Sequence, residues 1–141
     1  MRRKMRETPN ETGLMRLRQA GLRPTRQRNE LAELLFRNGY RHLTAETLHA
    51  EAVGGGIKVS LATVYNTLHQ FTQAGLLRQV VVDATRSYFD TNTGDHQHFF
   101  VENEGKLIDI PGPNIAVDSL PMPPPGTEIK RVDVVVRVRR Q

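Results

Sequence analysis

The chain has 141 residues, a formal net charge of +5 and no cysteine, and its length suits one domain or two small lobes. Without cysteine there are no disulfides, iron–sulfur clusters or thiolate zinc sites, which fits a reducing compartment. No apolar run approaches transmembrane length and no apolar stretch follows the basic N-terminus as in a secretory signal, so the expected location is the cytoplasm, off the membrane.

Residues 1–28 hold nine Lys/Arg against Glu7 and Glu11, whereas the rest of the chain carries a small negative excess. A basic front suits a polyanion, because phosphate contacts release counterions. A solvated basic tail explains the same composition equally well. Residues 1–12 read as a mobile polar arm, and Gly13 to Ala20 as a short helix stopped at Gly21. Thr25 caps a second helix, with Leu31, Leu34 and Leu35 on one face and Gly39 at its end. Thr44 caps a third, with Leu43 and Leu48 as a hydrophobic staple, and Gly54-Gly55-Gly56 break it. Ile57-Lys58-Val59 is extended, and Ser60 opens a fourth helix that Gly75 closes.

The period then becomes strand-like. Gln79–Val82 and Arg86–Phe89 flank Asp83-Ala84-Thr85 as a hairpin, and residues 95–102 and 107–110 flank a second turn at 103–106. A proline-rich connection, 121–126, leads to a last strand. There Val132, Val134, Val136 and Val138 share one face, with Arg131, Asp133, Arg137 and Arg139 on the other. The order predicts an α+β chain: a winged helix-turn-helix with a basic N-terminal arm in 1–92, then a small β-rich lobe in 93–141.

The fourth helix carries the functional signal. Leu61, Val64, Leu68 and Phe71 fall on one face, expected to pack inward. The other face shows Ala62, Asn66, His69, Gln70 and Gln73, with Thr63 and Tyr65 at its margins, and residues 60–75 contain no charge at all. Neutral donors, acceptors and small apolar groups are what base edges in the major groove call for. Lys58 and Arg78 flank this helix where phosphates would lie, and Arg16, Arg18 and Arg23 are the expected phosphate contacts of the basic segment. A polar surface helix that happens to lack charge is the blander alternative.

Asp95-His96-Gln97-His98 opens a strand, so His96 and His98 share one face and Gln97 takes the other. Two imidazoles at that spacing form a half-site for a borderline metal, although two neighbouring surface histidines are also common.

GLRPTRQR, HLTAETLH and SLATVYNTLHQFTQAGLL resemble the DNA-binding half of the ferric uptake regulator family, over roughly Leu14 to Ile110. The segments FDTNTGDHQHFFVENEGKLIDIPG and NIAVDSLPMPPPGTEIKRVDVVVRVR resemble its iron response regulator branch, whose members sense haem. The resemblance implies a homodimer on a palindromic double-stranded operator, with the C-terminal segment as an α/β dimerisation lobe. It implies that Tyr65 reads thymine and that Arg23 enters the minor groove, while Asn66 replaces a frequent arginine. It adds His42, Asp90 and Asp109 to His96 and His98 as metal or haem ligands, a set spanning both lobes. Haem is the leading cofactor on this reading, with Fe(II), Mn(II) or Zn(II) as the alternative.

The chain also departs from the family. Val101 and Glu104 stand where a first CxxC pair holds structural zinc elsewhere, so that zinc is absent, and the branch's three-histidine run is His96-Gln97-His98 here. A second family site, at Asp95 and Gln97, is not supported, and His49 and His69 read as helix-surface residues.

The expected function is therefore an iron- or haem-responsive transcriptional regulator, mainly a repressor of iron and haem metabolism genes, released from DNA by haem. A Fur-type repressor activated by Fe(II) or Mn(II) is the alternative. A metal-dependent hydrolase using the HxH pair is disfavoured, because no general base stands out beside it and no GxSxG, Walker A or GxGxxG occurs. A ligand-free nucleoid-type binder fits poorly with a base-reading helix.

Overall fold

The computed structural model describes residues 9–112 and 115–141, with side chains from Gly13 onward. Arg2, Arg3, Lys4 and Arg6 of the expected arm lie outside the described residues. The chain divides into two compact units, 1–93 and 94–141, against an expected junction between residues 92 and 93.

In the first unit, α1 (Pro9–Gln19), α2 (Arg26–Phe36), α3 (Ala45–Gly54) and α4 (Leu61–Gln73) precede a hairpin of β2 (Arg78–Val81) and β3 (Ser87–Asp90). Side-chain caps start three of these helices. Thr25, Thr44 and Ser60 accept the backbone N–H of Arg28, Thr47 and Thr63, each satisfying a donor that the first helical turn leaves open. Helix α1 starts earlier than expected, and Gly13 lies inside it. A Cβ there would meet the Glu33 amide nitrogen at 3.1 Å and the Ala32 Cβ at 3.3 Å, so glycine lets α1 and α2 close together. Leu17, Leu31, Leu35, Leu48, Val64, Leu68, Phe71 and Phe89 meet in one buried core, each stabilising the fold by about 1.5–3 kcal/mol.

A two-residue strand, β1 (His42–Leu43), adds to the wing and gives an antiparallel sheet of order β1-β3-β2. It sets His42 opposite Asp90 and Leu43 opposite Phe89. The pairing is prolonged past its end, where the Thr91 amide donates to the Arg41 carbonyl at 2.9 Å.

The second unit is built on β4 (His98–Val101), β5 (Lys106–Asp109) and β6 (Val135–Val138), in the order β5-β4-β6. β5 is antiparallel to β4 and β6 is parallel to it. Side-chain amides hold both flanks of β6. Gln97 accepts the Val134 amide at 2.6 Å and donates to the Val132 carbonyl at 3.3 Å, and Asn103 exchanges the same pair of bonds with the backbone of Arg140. No helix among the described residues is long and apolar enough to cross a membrane.

Candidate DNA-reading face and metal-ligand cluster

Helices α3 and α4 form the helix-turn-helix. On α4, Val64, Thr67, Leu68 and Phe71 are buried, while Ala62, Asn66, His69, Gln70 and Gln73 face solvent. The uncharged face is therefore the exposed one, as the reading of base edges requires. Leu61 departs from the expected inward stripe: it is 36% exposed at the first helical position, where the helix has not yet reached the core.

Tyr65 is half-buried, and its hydroxyl donates to Oε1 of Glu46 in the first turn of α3 at 2.6 Å. That bond holds the Glu46 carboxyl below its ordinary range and raises the phenol. The Tyr65 ring stacks on His69, with centroids 6.4 Å apart, and His69 in turn meets the edge of Phe89 at 5.7 Å. The Thr63 hydroxyl accepts from the Ser60 hydroxyl at 2.9 Å, so its outward role is shared with the cap.

The expected cations separate into two groups. Arg16, Arg18, Arg23 and Lys58 are exposed, and Arg16 lies over the ring of Phe36 at 4.8 Å. Arg78 is different. It is 3% exposed at the start of β2, opposite the buried Asp90 in register, so it does not stand at the phosphates as expected. It belongs to the inward-facing set of β2 with Val80. Arg28 carries no signal in the sequence beyond its charge. Its guanidinium donates to the Gln70 side-chain oxygen at 3.0 and 3.3 Å and to the Arg23 carbonyl at 2.7 Å, pinning α2 to α4.

The expected ligands fall into two sets, one in each unit. In the first unit, Asp90 is 1% exposed, accepts the Asn92 amide at 2.9 Å and faces His42 across β1 and β3; the His42 ring meets the edge of Tyr88 at 6.5 Å. In the second unit, the imidazoles of His96 and His98 lie 4.6 Å apart by ring centroid. Their Nε2 atoms stand 3.7 and 3.3 Å from Oδ1 of Asp109, and His98 and Asp109 are direct partners across β4 and β5. One ligand atom from each of the three lies within 4.8 Å of the others.

Two hydrogen-bond details fix how these side chains are turned. His96 Nδ1 is 2.7 Å from the Gly94 carbonyl; a carbonyl only accepts, so Nδ1 carries a proton, and Nε2 is the ring nitrogen on the Asp109 side. Gln97 sends its amide to the residues before β6 instead, which is the off-face orientation expected from strand alternation. Val101 and Glu104 sit at the β4–β5 turn, where Glu104 pairs with Arg140 at 3.0 Å; nothing there binds as a thiolate.

The profile of the Ferric uptake regulator family matches residues 19–135. The chain is 33% identical over 100 residues to the ferric uptake regulation protein of Bordetella parapertussis, covering 70% of this chain and 72% of that protein. It is 36% identical over 99 residues to the peroxide operon regulator of Bacillus subtilis, covering 70% and 68%. Among solved structures it is similar to the ferric uptake regulator of Pseudomonas aeruginosa with manganese, at a TM-score of 0.67 and 27% identity, covering 92% of this chain and 98% of that one. The ferric uptake regulator of Vibrio cholerae shares the fold, at a TM-score of 0.69 and 21% identity over 89% and 98%.

Proposed function

The chain belongs to the ferric uptake regulator family of metal-responsive transcription regulators and is not an enzyme, and from that premise we propose that it is a homodimeric, sequence-specific repressor whose grip on DNA is raised by Fe(II) or Mn(II). The observation that carries this reading is the convergence of His96, His98 and Asp109, with His96 anchored through Nδ1 so that its Nε2 is on the cluster side. Two imidazole nitrogens and a carboxylate suit Fe(II), Mn(II) or Zn(II). The similar Pseudomonas aeruginosa protein was solved with manganese, which supports that ion as the first to try. His42 and Asp90 complete the proposed set on the strength of the family resemblance. When bound, the ion would supply a positive charge that holds His96, His98 and Asp109 to one point.

Haem is the ligand implied by the likeness to the iron response regulator branch. The cluster favours a small ion over it. His98 is 1% exposed and both imidazoles already face a carboxylate, whereas haem ligation needs an imidazole open to a broad macrocycle.

On the DNA side, the uncharged exposed face of α4 supports base reading by Ala62, Thr63, Tyr65 and Asn66. The exposed Arg16, Arg18, Arg23 and Lys58 are the proposed phosphate contacts. Two copies place two reading helices on the two halves of a palindrome.

The test is thermal unfolding in a manganese(II) titration. Wild type gains about 2.7 kcal/mol of stability at an ion concentration one hundred times Kd, and the His96→Ala/His98→Ala double variant gains none. Equal stabilisation of both proteins places the ion elsewhere.

A further inference from the structure

The phenol of Tyr65 is engaged before any DNA arrives. Its proton points to Glu46 Oε1 across 2.6 Å, and its ring is steadied by the stack on His69, whose plane is 20° from parallel. Glu46 is exposed, in the first turn of α3. A carboxylate suits a helix N-terminus. On a face that meets phosphates, however, its charge opposes binding, so its place there calls for another contribution. The hydrogen bond keeps Glu46 ionised and the phenol neutral, which fixes which of the two oxygens carries the proton.

A phenol has one O–H to donate and lone pairs to accept with. Once the proton is committed to Glu46, only lone pairs remain for a base. In the major groove guanine shows only acceptors, O6 and N7. Cytosine and adenine show amino donors, and thymine shows, beside its O4 acceptor, a methyl group that an aromatic ring can touch. An acceptor-only hydroxyl is compatible with the last three and sets lone pairs against lone pairs on guanine.

We propose that Glu46 is a positioning residue that sets base preference through Tyr65, holding the phenol as an acceptor so that the position it meets excludes guanine. This rests on the reading of α4 as the base-reading helix, and the experiment separates the two. The full chain, with manganese(II), is used to select from a duplex library with a randomised core, and bound and unbound pools are sequenced. The position whose profile changes in Tyr65→Ala is the one that Tyr65 meets. Wild type depletes guanine there. Glu46→Leu frees the hydroxyl to turn and donate to O6 or N7, and guanine at that position rises about fivefold or more, the low end of what one discriminating contact contributes. Glu46→Gln keeps an acceptor and retains the depletion, which a general loss of packing would not do. Tyr65→Phe removes the lone pairs without touching α3 and relaxes the same position.

If Tyr65→Ala changes a position and Glu46→Leu leaves guanine depleted there, the role of Glu46 is overturned while base reading by α4 stands. If wild type does not deplete guanine at the Tyr65 position, the role of Glu46 is overturned likewise. If Tyr65→Ala changes no position, the base-reading assignment of Tyr65 falls, and the role of Glu46 with it.

Discussion

Gln97→Met tests how β6 is held beside β4. Gln97 is buried, and its amide makes two hydrogen bonds to the backbone ahead of β6, at 2.6 and 3.3 Å. Methionine has similar length and volume, so the change removes the bonds and little of the packing. Each bond contributes about 0.5–1.5 kcal/mol net. Val132 and Val134, which carry the backbone groups left behind, are half-buried residues, so water close by satisfies part of their need and the full penalty for an orphaned group does not apply. The expected loss is about 2 kcal/mol, local to β6. Native-state hydrogen exchange reads it directly, because a local opening free energy governs each amide. The β6 amides, Val135 to Val138, exchange about thirtyfold faster in the variant, tenfold for each 1.4 kcal/mol, while the core of α4 is unchanged. Manganese(II) affinity also holds, since the amide points away from His96 and His98. A β6 exchange rate within threefold of wild type refutes the clasp, and a collapse of metal affinity refutes the alternation that separates Gln97 from its neighbours.

Tyr65→Ala lowers affinity for a selected duplex by about 1–3 kcal/mol and leaves random-sequence affinity nearly unchanged, because no phosphate charge is lost; equal losses on both contradict base reading. Arg23→Ala and Lys58→Ala each flatten the log–log dependence of affinity on salt by about 0.9, measured by fluorescence anisotropy. Arg78→Met instead destabilises the fold and leaves that slope as it was; a flattened slope would return Arg78 to the phosphates. In the wing turn, Thr85 amide and hydroxyl bonds hold the Asp83 carboxyl at about 2, below its ordinary 3.8. A carboxyl depressed on folding stabilises fully above its unfolded value and loses that contribution as pH falls toward 2, so a carbon-13 titration of Asp83 shows its midpoint near the lower value.

Local signals were readable in the sequence wherever one side chain decides one element. Thr25, Thr44 and Ser60 each announce a helix start because the cap acts on an amide three residues away. The uncharged face of α4 and the shared face of His96 and His98 follow from periodicity alone. What pairs distant segments was not readable: β1 is two residues long, and the parallel seat of β6 beside β4 depends on a neighbour more than thirty residues away. At Arg78 charge and alternation point opposite ways, the charge toward phosphates and the alternation inward. Val80 and Val82 turn inward, and two-residue periodicity puts Arg78 with them. Glu46 carried no signal beyond that of a first-turn acid, since nothing in its spacing points across to Tyr65.

Control of DNA binding is proposed to lie in the His96, His98 and Asp109 cluster. Its most direct test is the affinity of the full chain for a selected palindromic duplex, with and without manganese(II), in wild type and in the His96→Ala/His98→Ala variant. The expected result is that the ion raises wild-type affinity by about 5–150-fold, the usual span of an effector coupling, and that the duplex tightens ion binding by the same factor. The variant binds as the ion-free wild type does, with or without manganese. An affinity in wild type that the ion leaves unchanged or lowers, or a variant that still responds, contradicts it.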